Sequence, residues 1–374
     1  MRDPNATRPT VALPPNHVAL NRRKLLLTIG SFAAGTAATA GPGEQRAFAQ
    51  STQPASRNPM TDNTKIIDFH CHHIPARFEL TAARYAPASQ RARWEALART
   101  LSDENLLLKD VRDGALGARV VSLLIQLIAD AEGRVPHETT VAMNDALAEL
   151  VGRHPGRIHG LASVDAYDGD KSAREAERAI RELGLHGLLL ECARGDLLLD
   201  APQARPTLEI AAKLGVPVFA HPIAPQPLTK QMVPYGLIGT LFARGAVNSA
   251  ALIALVEGGV FSQLPNLRIV FTAQAIGGLA MAAGLSSQSR LPSGTIEVMR
   301  KNVLIDTTLF HPALIRALVD LLGPDNVMAG SDWPIAGDRP VRDILLDTMQ
   351  SAGLSNAEQT AIAGSNCSRL LGLA

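Results

Sequence analysis

Two histidines one residue apart, His70 and His72, close a short apolar run, Ile66-Ile67-Asp68-Phe69. Alternate side chains of an extended strand share a face, so His70 and His72 converge on one point while Cys71 faces away. Two imidazoles at the mouth of a strand make half of a metal site. Two further polar residues end apolar runs. His221 follows Pro217-Val218-Phe219-Ala220, and Asp332 follows Val327-Met328-Ala329-Gly330-Ser331. Three imidazole nitrogens and one carboxylate suit one divalent ion, with zinc expected and manganese, iron or cobalt also compatible. An ion with an open position lowers the pKa of its water and creates a nucleophile near neutral pH. Asp332 can touch the ion and also accept a proton.

Residues this far apart meet only if the fold brings strand ends together. Eight short β-branched or apolar runs occur, at residues 66–69, 119–125, 158–164, 187–190, 216–220, 267–272, 303–306 and 327–330. Segments with helical periodicity lie between most of them, at 138–153, 171–183, 207–214, 250–259 and 312–322. Strings such as Gly184-Leu185-His186-Gly187 and Leu214-Gly215-Val216-Pro217 read as a helix stop followed by a strand start. This alternation predicts an α/β fold with a parallel sheet, and eight units predict a (β/α)8 TIM barrel over residues 64–374. His70, His72, His221 and Asp332 then fall at the C-terminal ends of strands, where barrel chemistry sits. A doubly wound open sheet is the alternative, but no Gly-rich fingerprint follows the first strand.

The chain has 374 residues, 46% of them hydrophobic, and a formal net charge of +1. That balance argues against nucleic acid as a partner and leaves a small-molecule substrate. Three scattered cysteines, Cys71, Cys192 and Cys367, form neither a disulfide framework nor a thiolate zinc motif. Arg22-Arg23 precedes a weakly apolar stretch, and Ala47-Phe48-Ala49 reads as a cleavage site. Residues 1–49 therefore read as a twin-arginine signal peptide and 50–63 as a linker. The expected product is a periplasmic or secreted protein with no membrane anchor after cleavage.

With these residues in view, the chain resembles the amidohydrolase superfamily, in its amidohydrolase-related, aminocarboxymuconate-semialdehyde decarboxylase-like branch. Ile67-Asp68-Phe69-His70-Cys71-His72 with Ile74-Pro75 is similar to the family's first-strand motif. Gly215 to Pro222 is similar to its fifth, Leu252 to Val270 to the approach to its sixth, and Gly330-Ser331-Asp332-Trp333-Pro334 to its eighth. Asn366 to Leu373 resembles the closing helix. The resemblance implies one metal held by His70, His72, His221 and Asp332, a homo-oligomer, and a histidine ending the sixth strand. This chain departs there: no histidine lies between His221 and His311, and the corresponding string is Phe271-Thr272-Ala273-Gln274-Ala275-Ile276-Gly277-Gly278.

Gln274 is the nearest polar substitute, but an amide does not titrate and is no general base. Glu191, ending the fourth strand, is a candidate compensating carboxylate, and His311 is a candidate from a neighbouring loop. Asp68 and Asp306 are expected to hydrogen-bond backbone or a ligand histidine. Substrate identity is expected to lie in two loops, residues 76–101 and 222–248, the second of which reads as a long structured lid, and Lys230, Arg244, Arg119 and Arg194 are the cations available to meet an acid group. The expected activity is non-oxidative decarboxylation of a small aromatic or enolic carboxylic acid. Hydrolysis of an ester, lactone or amide is the alternative chemistry. A catalytically degenerate binding protein with the same barrel is the alternative class.

Overall fold

The computed structural model describes residues 65–81, 88–130, 134–224, 226–335 and 340–373. The signal peptide and linker expected over 1–63 lie outside the described residues. Eight parallel strands form one sheet, each paired with the next in the chain: β1 (Ile67–His72), β2 (Ala118–Ser122), β3 (Ile158–Ser163), β4 (Gly187–Glu191), β5 (Val218–His221), β6 (Ile269–Phe271), β7 (Val303–Asp306) and β8 (Val327–Met328). Each falls on a run expected from the sequence. The last strand returns to the first through Phe69 N to Ala329 O at 2.9 Å, Asp332 N to His70 O at 2.8 Å and His72 N to Trp333 O at 2.8 Å. The sheet is thereby closed into the expected (β/α)8 barrel.

Side-chain alternation sorts each strand into two layers. Phe69, Val120, Leu161, Leu189, Phe219, Val270, Leu304 and Met328 fill the barrel interior, one from every strand. Their neighbours, among them Cys71, Val121, Leu188, Ala220, Phe271 and Ile305, pack outward under the helices. In β1 the pairing register shifts between Asp68 and Cys71. This bulge inserts one extra inward residue, so Phe69 and His70 both face the interior. Strict alternation would have turned Phe69 outward beside Cys71.

The helices follow from apolar stripes that cover the outer layer. In α1 (Ala88–Ser102) and α2 (His137–Arg153) the stripe is readable, with Met143, Ala146, Leu147 and Leu150 of α2 at helical spacing and all buried. α3 (Asp170–Arg181), α4 (Arg205–Leu214) and α7 (Pro312–Leu322) match their expected spans closely. Two helices depart from expectation: α1 replaces most of the loop expected over 76–101, and α5 (Gly236–Glu257) was expected only over 250–259. The first half of α5 is apolar apart from Thr240 and Arg244 and carries Gly239 and Gly245, so no clear stripe marks it as helix. The glycines serve close packing instead. A methyl on Gly245 would stand 2.7 Å from the Gln274 carbonyl, in the turn leading to α6 (Ile276–Gly284). The closing helix, α8 (Asn366–Leu371), is tied down by Asn366, whose amide donates to Pro324 O and Val327 O at 2.7 Å each.

Gly330 occupies the gap between the two sides of the site. A methyl there would lie 2.8 Å from Asp306 Cβ and 2.9 Å from His70 Cβ. Gly330→Ala is expected to cost about 1–3 kcal/mol of stability through overpacking. Urea unfolding of the variant beside wild type measures this, and an unchanged midpoint would refute the packing account.

Candidate metal centre

His70, His72, His221 and Asp332 are brought together at the C-terminal rim of the barrel. One ligand atom from each lies within 4.8 Å of all the others. The two Nε2 atoms of His70 and His72 are 3.1 Å apart, and Asp332 Oδ1 is 3.3 and 3.2 Å from them. Ligands at 2.0–2.1 Å around a tetrahedral ion are about 3.3 Å apart, so the spacing fits one divalent ion. The three imidazole rings meet edge-on, with centroids 5.0–5.4 Å apart, over a floor made by Phe219 and Phe69.

Each ligand is aimed by a second contact. His70 Nδ1 lies 2.6 Å from Asp306 Oδ2, which leaves Nε2 for an ion. Asp306 is itself fixed, since its other oxygen accepts from Ala273 N at 2.8 Å and Thr308 N at 3.1 Å. Ser122 Oγ meets His72 Nδ1 at 3.1 Å. Gln126, in the turn after β2, brings Nε2 to 3.5 Å from His221 Nδ1. Asp332 holds a left-handed backbone, φ 60°, a conformation aspartate tolerates better than most residues. The turn is secured by Asp68, whose two carboxylate oxygens accept from Ser331 N at 2.9 Å and Ser331 Oγ at 2.7 Å. Asp68 and Asp306 therefore do what was expected of them.

The four groups differ in their electrostatics. Burial opposes a charge on His70, but Asp332 and Asp306 raise its pKa to about 10. Burial lowers His72, and burial with the charge of His72 puts His221 well below the usual range. Asp332 is held below the ordinary carboxylate range by the histidines, against the effect of burial. Its Oδ1 is nevertheless buried without a well-aligned hydrogen-bond donor among the described residues. A buried anionic oxygen facing imidazole nitrogens is what a cation would complete.

The other candidates fall in different places. Glu191 ends β4 beside His221 in register, with Oε1 buried and without a hydrogen-bond partner among the described residues. Burial, with the charge of Asp165, raises its carboxyl to about 7. Gln274 does not reach the pocket. It lines a separate apolar groove with Ile238, Phe242 and Met281, α5 packs against its backbone, and its Oε1 is buried without a hydrogen-bond partner among the described residues. His311 is exposed at the start of α7 and does not fill the place of a sixth-strand histidine. Arg119 is buried on the outer side of the sheet, stacked on Trp333 and paired with Asp110, so it meets no substrate. Arg194 pairs with Asp165 and Asp168, and Lys230 is exposed.

Beside His221 and Asp332 opens a narrow pocket. Trp94 and Leu97 of α1, Leu124, Leu127 and Ile335 form its apolar walls, and Gln126, Arg93 and Arg244 are its other polar members. Gln126 was not singled out from the sequence, whereas the α1 residues lie in the stretch 76–101 expected to set substrate identity, as helix and not as the loop expected. Only the position of Gln126 just past β2, at the same rim as the ligands, marks it in retrospect.

A parallel barrel with three histidines and one aspartate clustered at its C-terminal rim, beside a pocket, defines a metal-dependent barrel enzyme. Residues 67–373 match the amidohydrolase family, and the chain belongs to that family. It is 27% identical over 242 residues to 2-amino-3-carboxymuconate-6-semialdehyde decarboxylase of Dictyostelium discoideum, covering 62% of this chain and 66% of that protein. It is 27% identical over 281 residues to gamma-resorcylate decarboxylase of a Polaromonas species, covering 67% and 80%. Among solved structures, 5-carboxyvanillate decarboxylase from Sphingomonas paucimobilis superposes with a TM-score of 0.72 at 23% identity, covering 83% of this chain and all of that one. A dihydroxybenzoic acid decarboxylase from Polaromonas with bound manganese gives 0.71 at 22% identity, covering 83% and 97%. At these identities the structures establish the shared fold.

Two outcomes follow from the geometry. Asp306→Ala frees His70 Nδ1 and is expected to weaken metal affinity about 10–100-fold, read by chelator competition. Glu191 has a folded-state pKa of about 7 against an ordinary 4.5. Between those values the folded protein keeps a proton that the unfolded chain has lost. Stability therefore falls as pH rises from 4.5 to 7, and the cost is fully present above 7. Glu191→Gln is expected to flatten that fall in melting curves taken from pH 5 to pH 8. A wild-type slope retained in the variant would refute the assignment.

Proposed function

We propose that the protein is a metal-dependent carboxy-lyase that removes carbon dioxide from a small aromatic or enolic acid. The observation that carries the reading is the cluster of three histidines and one aspartate opening directly onto a pocket with apolar walls and cationic side chains. The decarboxylases among its relatives support it. His70, His72, His221 and Asp332 hold one divalent ion, which when bound supplies a Lewis acid for substrate oxygens. The three-nitrogen set suits zinc, and the manganese held by the Polaromonas dihydroxybenzoate enzyme makes that ion the alternative.

The chain's own residues supply orientation and the proton. Trp94, Leu97, Leu124, Leu127 and Ile335 flank a flat ring and exclude water. Asp332 belongs both to the ligand set and to the pocket wall, and we assign it the proton transfer. The bond from the ring carbon to the carboxylate breaks, its electron pair stays on that carbon, and the carbon takes the proton. Glu191, a second carboxyl at the rim, is the candidate to renew it. Hydrolysis at the same centre is the second reading, favoured by the fact that Gln274, not a histidine, follows β6. Export through the twin-arginine segment and a homo-oligomeric state complete the proposal. The exposed Ile238, Phe242 and Met281 on α5 and α6 support self-association.

Metal analysis of the purified protein is expected to give one equivalent of zinc or manganese. Across a panel of hydroxybenzoates and esters, carbon dioxide release is expected and acid release is not. Asp332→Asn is expected to lower kcat at least about 100-fold. Absence of stoichiometric metal would sink the reading, and acid release without carbon dioxide would replace it with hydrolysis.

A further inference from the structure

The pocket contains a cation that the chemistry above leaves unused. Arg244 lies on α5 and lines the pocket that His221 and Asp332 also line. One of its bonds is accounted for, Nη2 to Pro222 O at 2.7 Å. A guanidinium carries five N–H donors in a planar fork. No carboxylate lies within ion-pair distance of it among the described residues, although Asp332 and Glu191 act on it through their fields. Burial lowers its pKa, against the opposing fields of Asp332 and Glu191.

Its position is also fixed in advance. One helical turn on, Asn248 donates to Ala220 O of β5 at 3.0 Å and accepts from Thr272 Oγ1, just past β6, at 3.0 Å. The next residue, Gly245, brings α5 onto the Gln274 backbone. The helix is thus bolted to two barrel strands beside Arg244, and the guanidinium needs little ordering to meet a ligand. An apolar chamber lined by Arg93 and by an Arg244 guanidinium with no ion-pair partner among the described residues is built for an anion whose remainder is apolar.

We propose that Arg244 is the residue that binds the substrate's carboxylate and selects acids over neutral analogues of the same shape. This rests on the acid-substrate reading given above. Arg244 acts as a binding and specificity residue and takes no part in the proton transfer.

The probes are 2-hydroxybenzoate and its neutral counterpart 2-hydroxybenzamide, titrated calorimetrically into the metal-loaded protein. Wild type is expected to bind the acid at least about 30-fold more tightly than the amide. Arg244→Met is expected to lose about 30-fold or more in affinity for the acid and under about 3-fold for the amide. Arg244→Lys, which keeps the charge but not the fork, is expected to fall between them. With a turned-over acid, the loss appears in KM more than in kcat. Circular dichroism and metal content of each variant report whether the fold and the ion site persist. A wild type that prefers the acid while Arg244→Met binds both probes as wild type does overturns the assignment of Arg244 alone. A wild type that binds neither probe, or both equally, overturns the acid-substrate reading and this inference with it. Equal losses for acid and amide in Arg244→Met assign the residue to bracing Pro222 and also overturn it.

Discussion

The site exists because the last strand of the sheet returns to the first. Asp332 reaches the two histidines of β1 only through this closure. Its own N–H donates to His70 O, and the N–H of His72 donates to Trp333 O. The buried carboxylate of Asp68 clasps Ser331 with two bonds and sets the turn in which Asp332 takes its left-handed backbone. Ligands from opposite ends of the barrel sequence are thus spaced by main-chain contacts, and the ion finds the cluster already assembled.

That arrangement concentrates charge in an apolar setting, which the surrounding residues must offset. His70, His72, His221 and Asp306 are all about 1% exposed or less. The buried imidazoles of β1 have stated partners, Asp306 on His70 and Ser122 on His72, with Phe219 and Phe69 closing off water from below. Arg119, on the other side of the sheet, stacks on Trp333 and so supports the same turn from outside. The pocket accordingly sets the Asp332 carboxylate and the Arg93 and Arg244 guanidiniums among apolar walls.

Much of this was legible in the sequence, for a physical reason. Strand ends in a barrel are marked by a switch from apolar to polar residues, and that switch identified His70, His72, His221, Asp332 and Glu191. Strand–helix alternation then fixed the architecture. What escaped notice was whatever leaves no periodic trace. The N-terminal half of α5 is apolar apart from Thr240 and Arg244 and shows no clear stripe, so its helical state follows from packing against the turn at Gln274. Gln274 holds the sequence position of the missing histidine, yet it lines a groove away from the ligands, where α5 packs on its backbone. Gln126 comes from a turn whose composition is ordinary, and only three-dimensional proximity reveals it, while Trp94 lies in the stretch expected to set substrate identity but on a helix and not a loop. Arg119 and Arg244 are indistinguishable as letters, but the sheet separates them onto opposite sides.

The bulge in β1 makes two parts of the active end separately editable. Because one extra residue is absorbed between Asp68 and Cys71, the inward facing of the His70–His72 pair does not depend on the phase of the strand before it. Removing Phe69 would restore a regular strand with both imidazoles still pointing inward, and would take away only the aromatic floor beneath them. Removing Cys71 would instead set the two histidines on opposite faces. Length changes on the two sides of a single residue therefore have unlike consequences, one for packing and one for the ion.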